Sequence, residues 1–187
     1  LQQEFGGCGV GYVPVTSSIS GYRPTVRHTF GGWSSHSSND SVGFDKMQQD
    51  ISGHYFYPRE GAYVQLKGQH KYASRLDTCE VSTFYFLNKG FAAVRSKVNN
   101  AAEGELHEEV GTGGMQAVSV KGRIGQVRWS VEQADSATFY GVAMDGRQGI
   151  SLDNFSVRGS SGLHLRSIPL RTLRDAYRDR AFEDCFS

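Results

Sequence analysis

The sequence has little bias and few reactive side chains. Net charge is +1, from 20 Lys plus Arg against 19 Asp plus Glu. That balance removes the bulk electrostatic case for nucleic acid or for an anionic membrane surface. No apolar run approaches the roughly 20 residues that cross a bilayer, so no membrane span is expected. No signal peptide opens the chain. The three cysteines, Cys8, Cys79 and Cys185, form no Cys-x-x-Cys pair. One disulfide plus a free thiol and three buried thiols both fit; burial is favoured, because cysteine is among the most buried residue types.

Catalytic and ligand motifs are also missing. There is no Gly-x-Ser-x-Gly and no Gly-Asp-Ser, and no histidine follows an aspartate by three positions. Ser160 and Ser161 therefore have no local base or acid and read as turn residues. Glu105-Leu-His-Glu-Glu109 fails the His-Glu-x-x-His zinc pattern, because position 111 is Gly; it reads as a loop or strand edge. Gly111-Thr-Gly-Gly114 lacks the lysine of a phosphate loop. No metal and no cofactor are expected.

What is present is glycine and aromatic content: 23 Gly, 11 Phe and 9 Tyr against 4 Pro. Glycine-punctuated, aromatic-rich sequence favours short strands joined by turns. Residues 6–52 show little periodicity, and Gly31-Gly-Trp-Ser-Ser-His-Ser-Ser-Asn-Asp40 reads as an exposed loop anchored by Trp33. From His54 the period becomes two. Strands are predicted over 62–67, 80–87, 91–98, 116–120, 126–132 and 137–144, with Asn88-Lys-Gly90 as a hairpin turn. In 126–132, Val127, Trp129 and Val131 share one face, and Arg128, Ser130 and Glu132 the other. A buried strand with a glycine-bounded turn is expected in Gly149-Ile-Ser-Leu-Asp-Asn-Phe-Ser-Val-Arg-Gly-Ser-Ser-Gly162. A helix follows, with Ser167 as N-cap, Pro169 in its first turn, and Leu170, Leu173 and Tyr177 as its apolar stripe. The fold class is mostly β: an antiparallel β-sandwich of jelly-roll type with a short C-terminal helix.

Sandwiches that bind sugars offer aromatic faces to pyranose rings, with polar side chains around them. Trp33, Tyr55 and Tyr57 are the candidates taken forward for substrate binding, with Tyr63 and Tyr72 beside them. Core packing is the competing reading for each.

The ends of the chain carry a resemblance. Gln2-Gln-Glu-Phe-Gly-Gly-Cys-Gly-Val-Gly-Tyr-Val-Pro14 resembles the segment after the first helix of SGNH (GDSL-type) hydrolases of the Bacteroidetes kind, and the 149–162 segment resembles that family's second block. Members of this type carry a β-sandwich, similar to a carbohydrate-binding module, inserted between those blocks. The resemblance implies three parts: 1–12 as a remnant of the hydrolase-core helix and loop, 13–148 as the inserted sandwich, and 149–187 as the return to the core. It implies Gly159 as a backbone N–H donor of the oxyanion hole. It places the nucleophilic serine before Leu1 and the Asp-x-x-His after Ser187, so the chain alone is expected to be catalytically silent. The parent would be a periplasmic or extracellular esterase, acting through a Ser–His–Asp acyl-enzyme on an acetylated polysaccharide or peptidoglycan. Expected partners are a carbohydrate or acylated glycan and the remainder of the hydrolase core. A free-standing carbohydrate-binding or adhesion module is the alternative.

Overall fold

The structure, a computed structural model, describes residues 10–40, 42–69, 79–147, 149, 151, 153, 155 and 163–180. Seven strands form in chain order: β1 (Gly11–Pro14), β2 (Val26–Ser37), β3 (His54–Gly68), β4 (Cys79–Val98), β5 (Glu105–Val110), β6 (Gly114–Ile124) and β7 (Gln126–Asp145). One helix, α1 (Leu170–Arg180), follows a 3₁₀ turn at Leu163–Ser167. Pairing is antiparallel throughout. The strands run in the order β2-β3-β7-β4-β5, with β1 also on β7 and β6 also on β4.

Two of these strands are 20 residues long, and they explain how one hydrogen-bonded sheet becomes a sandwich. Register shifts fall between Gly31 and Trp33 in β2, between Phe56 and Tyr63 in β3, and between Asn88 and Phe91 in β4. Positive-φ residues sit at the same level: Gly32 (75°), Gly61 (70°) and Ser136 (58°). Bulges bend strands and sharpen their twist. Aligned across four neighbours, they fold the sheet over on itself. The near half contains 26–31, 62–68, 91–98, 105–110 and 126–133; the far half contains 11–14, 79–88, 114–124 and 137–145.

The core lies between the halves. Val64, Leu66, Val94, Val127 and Trp129 from the near half pack with Val13, Phe84, Phe86, Val120, Ile124 and Phe139 from the far half. Trp129 reaches across: its ring centre is 5.6 Å from that of Phe84, and Nε1–H donates to Ser82 Oγ at 3.1 Å. Full burial of such a side chain stabilises by about 1.5–3 kcal/mol before the cost of ordering it.

Several expectations are corrected. Residues 80–87 and 91–98 are not the arms of a hairpin but one strand, β4, with a bulge at Asn88. Residues 126–132 and 137–144, expected as two strands, likewise form one, β7. Residues 31–37 are strand, not loop; the turn comes at Ser37–Asp40, where Ser37 N–H donates to Asp40 Oδ2 at 2.8 Å. Gly149, Ser151, Asp153 and Phe155 belong to no strand. Ser167 is not the N-cap of α1, since the helix starts at Leu170; its carbonyl instead accepts from Gln49 Nε2 at 3.1 Å. The stripe on α1 is turned outward: Leu170 is 71% and Tyr177 47% exposed, while Ala176 is buried. Cys79 is fully buried but is not a free thiol: it is disulfide-bonded. Cys8 and Cys185 lie outside the described residues, as do Tyr72, Gly159, Ser160 and Ser161.

Candidate functional site

The three aromatics taken forward from the sequence are brought into structural roles. Trp33 turns inward, packs its edge on Phe139 (5.5 Å) and donates Nε1–H to the Tyr63 carbonyl at 2.7 Å. Tyr55 is 2% exposed and stacked on His36 at 4.8 Å. Its hydroxyl accepts from the Asp45 amide at 2.9 Å and donates to the Gly43 carbonyl at 3.2 Å. Half-buried Tyr57 stands edge-on to Tyr55 and donates to Gln48 Oε1 at 2.8 Å. Tyr55 and Tyr57 hold the loop between β2 and β3 against the outer face of the far half. Tyr55 offers no ring to a ligand.

That outer face is closed. Tyr12, Tyr55, Tyr85, Tyr140 and Ala143 form a second cluster, joined by Phe44, Tyr57, Leu87, Met115 and Phe155. A cavity of about 20 Å³ remains among Tyr12, Asp50, Tyr85, Tyr140, Phe155 and Arg180. That is room for roughly one water, and sugar pockets are more than tenfold larger. The polar groups around it are structural clamps. Tyr12 hydroxyl donates to buried Asp50, which also accepts from Ser52 Oγ at 2.5 Å. Burial pushes the Asp50 carboxyl up, against the hydrogen bonds from Ser52 and Tyr12, and burial pushes the Tyr12 hydroxyl well up. Arg180 binds Asp153 at 2.6 and 2.7 Å and Asp145 at 2.6 and 3.1 Å, and Asp153 Oδ1 accepts from the Tyr12 amide at 2.7 Å. Burial works to lower the guanidinium pKa, but the two carboxylates outweigh it and hold it above its ordinary value. Helix α1, Asp153 and β1 are thus locked to one another.

The outer face of the near half is different. The loop between β4 and β5 touches its rim, where Arg95 donates to the Gly104 carbonyl and Lys97 to the Ala102 carbonyl. Strand register sets its three rows. The first is Arg27–Lys67–Gln126; the second is Thr29–Gln65–Arg128–Lys97; the third is Gly31–Tyr63–Ser130–Arg95–Leu106. Directly opposed side chains across such rows have Cβ atoms about 4.5–5.5 Å apart. At the centre, the Arg128 guanidinium carbon lies 3.7 Å from the centroid of the Tyr63 ring. Gly31 makes room for that ring: a Cβ there would be 2.9 Å from Tyr63 Cε1. The result is an aromatic–guanidinium pair flanked by amide, hydroxyl and ammonium groups. Such a surface presents the Arg128 guanidinium and its polar neighbours as hydrogen-bonding groups for sugar hydroxyls.

Alternation in 126–132 identified Arg128 and Ser130 as outward-facing, and Tyr63 was among the aromatic candidates. Their meeting depends on the β3–β7 register, which no local pattern encodes. Among the described residues, no group of three His, Cys, Asp or Glu side chains is placed to hold a metal ion.

No family model matches the sequence. No curated protein matches it either. Solved structures do match. A point mutant of a family 29 carbohydrate-binding module is 13% identical, covering 80% of this chain and 98% of that chain at a TM-score of 0.39. Another, complexed with mannohexaose, is 13% identical over 78% of this chain and 99% of that one, at 0.39. The Podospora anserina GH26-CBM35 β-(1,4)-mannanase is 10% identical over 70% of this chain and 29% of that one, at 0.40. None of these three is an SGNH-type hydrolase. A TM-score near 0.4 carries no ligand across, so the reading of function rests on the near-half face.

Proposed function

We propose that this chain is a carbohydrate-binding β-sandwich and that glycans dock on the outer face of the near half. The observation that carries the reading is Tyr63 under Arg128 on an open sheet face, with Gln65, Gln126, Thr29 and Ser130 around it. The cavity on the far-half face has room for a water only. The disulfide at Cys79 fits a protein of the periplasm or cell exterior, where such bonds persist. Affinity electrophoresis of the 187-residue chain through gels containing single polysaccharides tests the reading. Retardation by at least one polysaccharide, lost on Tyr63→Ala, supports it; unretarded migration through every gel refutes it.

A second reading is favoured by one contact. The Tyr12 amide donates to Asp153 Oδ1 at 2.7 Å, so the chain enters and leaves the sandwich at one place. An insertion into a host enzyme needs that arrangement, and the SGNH resemblance supplies a host. In this reading residues 13–148 are the inserted domain, 149–187 return to the hydrolase core, and Gly159 supplies an oxyanion-hole N–H. It predicts Gly-Asp-Ser-His encoded upstream and Asp-x-x-His downstream; neither in the gene excludes it. The isolated chain would show no turnover of p-nitrophenyl acetate.

A further inference from the structure

The near-half face carries a charge pattern that the overall composition does not suggest. Its three rows hold Arg27, Lys67, Arg95, Lys97 and Arg128, and no carboxylate. The whole chain, by contrast, is only +1. The nearest acid on β7, Glu132, is already bound to Arg95 Nε at 2.8 Å. Arg95 also donates to the Gly104 carbonyl, and Lys97 to the Ala102 carbonyl, each at 3.2 Å. Among the described residues, Arg27, Lys67 and Arg128 have no carboxylate partner. Acidic residues gather at the edge of this half, on and before β5 at Glu103, Glu105, Glu108 and Glu109, and Glu108 shares the face of Leu106 beyond the third row.

Like charges brought together on adjacent strands repel, and a fold keeps them at some cost unless something else uses them. Arg128 is the central one. It is half-buried, its guanidinium carbon lies 3.7 Å from the Tyr63 ring centroid, and fewer rotamers are open to it than to a free surface arginine. A fixed guanidinium fork matches a planar two-oxygen anion. Lys97 lies opposite it on β4 and Gln65 opposite it on β3, so one such anion meets donors from three strands.

We infer that the ligand of this face is an anionic polysaccharide, whose acidic groups seat on Arg128 with Lys67 and Lys97 on either side. This rests on the carbohydrate-binding reading and narrows it. The shared chemistry of the ligand is a two- or three-oxygen anion on a sugar; carboxylate and sulfate are separated by the test.

The test is isothermal titration of the full chain at 50 mM NaCl with two matched pairs: polygalacturonate against its methyl-esterified form, and dextran sulfate against dextran. The expected result is binding to at least one anionic member, at least tenfold weaker binding to its neutral counterpart, and a further loss of affinity at 500 mM NaCl. Which pair responds identifies carboxylate or sulfate. Arg128→Gln should weaken that binding at least tenfold, and Lys67→Gln with Lys97→Gln severalfold. Arg174→Gln on α1, remote from the face, should leave it unchanged. Equal binding to charged and neutral members overturns the inference and leaves the carbohydrate reading intact. Equal binding to a polyanion without sugar recognition, such as polyglutamate, also overturns it. Binding to neither pair overturns it; retardation by a neutral glycan in the electrophoresis above would then show the broader reading still standing. A near-UV circular dichroism spectrum matching wild type keeps each variant interpretable.

Discussion

The indole N–H of Trp129 donates to Ser82 Oγ across the fold of the sheet, joining a residue of the near half to one of the far half at 3.1 Å. Both residues are fully buried. Ser82→Ala leaves that N–H without its partner, and a buried donor left unpaired costs about 1–3 kcal/mol. Thermal or urea unfolding of the variant should show a loss in that range, with the spectrum of the folded state unchanged.

The corner itself depends on glycine. Gly32 has φ of +75°, and a Cβ there would lie 2.7 Å from the Ala62 Cα. Gly32→Ala meets both backbone strain and a clash with backbone, so a loss of about 1–3 kcal/mol or more is expected. Gly21, with nothing within 4 Å of an added Cβ, is the control, and Gly21→Ala should be nearly neutral. Urea midpoints of the two variants measure the contrast.

Arg180 sits between two carboxylates on which α1 is hung. Arg180→Gln leaves Asp145 and Asp153 partly buried without their cation. Removing one partner of a buried ion pair costs about 3–5 kcal/mol. Hydrogen exchange should show faster exchange across α1 before the sheet is affected.

His28 is buried, with Nε2 3.0 Å from the Val15 carbonyl and Nδ1 without a partner. Burial lowers its pKa to about 4 from an ordinary 6.5. Between those values the unfolded chain binds more protons than the folded one, so stability falls as pH drops through that window. The share due to His28 reaches about 3 kcal/mol near pH 4. Asp50 runs the other way. Its folded pKa is raised, so the folded state holds the extra proton just above the ordinary carboxylate range, and its contribution falls as pH rises there. Urea unfolding from pH 3.5 to 7.5 separates them: His28→Gln removes the acid-side loss, and Asp50→Asn removes the opposing slope.

Strand positions and faces were readable where alternation was strict. Val127 and Trp129 are buried as the pattern implies, and Arg128 and Ser130 face out. Asn88-Lys-Gly90 misled because its chemistry is that of a turn. In the structure the same chemistry builds a bulge: Asn88 Oδ1 accepts from the Gly90 amide at 3.1 Å, and Nδ2 donates to the Glu109 carbonyl at 2.9 Å. The Ser- and Gly-rich β2 carries no periodic signal, and its ladder is supplied by β3. On α1, Leu170 and Tyr177 of the apolar stripe are exposed, and Arg180 is the residue that bonds Asp145 and Asp153. Of the site, Tyr63 and Arg128 were each visible, but only register joins them. Tyr55 is buried beneath the loop between β2 and β3 and Trp33 packs on Phe139, placements that no sequence pattern encodes.

The face around Tyr63 is the centre of the functional account, and Tyr63→Ala tests it most directly. The variant removes the ring beneath Arg128 but leaves the core untouched, since Tyr63 points away from it. Affinity for the best-retained polysaccharide should fall at least tenfold, with unfolding stability within about 1 kcal/mol of wild type, as for most partly exposed positions. Tyr57→Phe, on the closed face, should bind as wild type does. Undiminished binding by Tyr63→Ala, or loss of binding in Tyr57→Phe alone, would contradict the account.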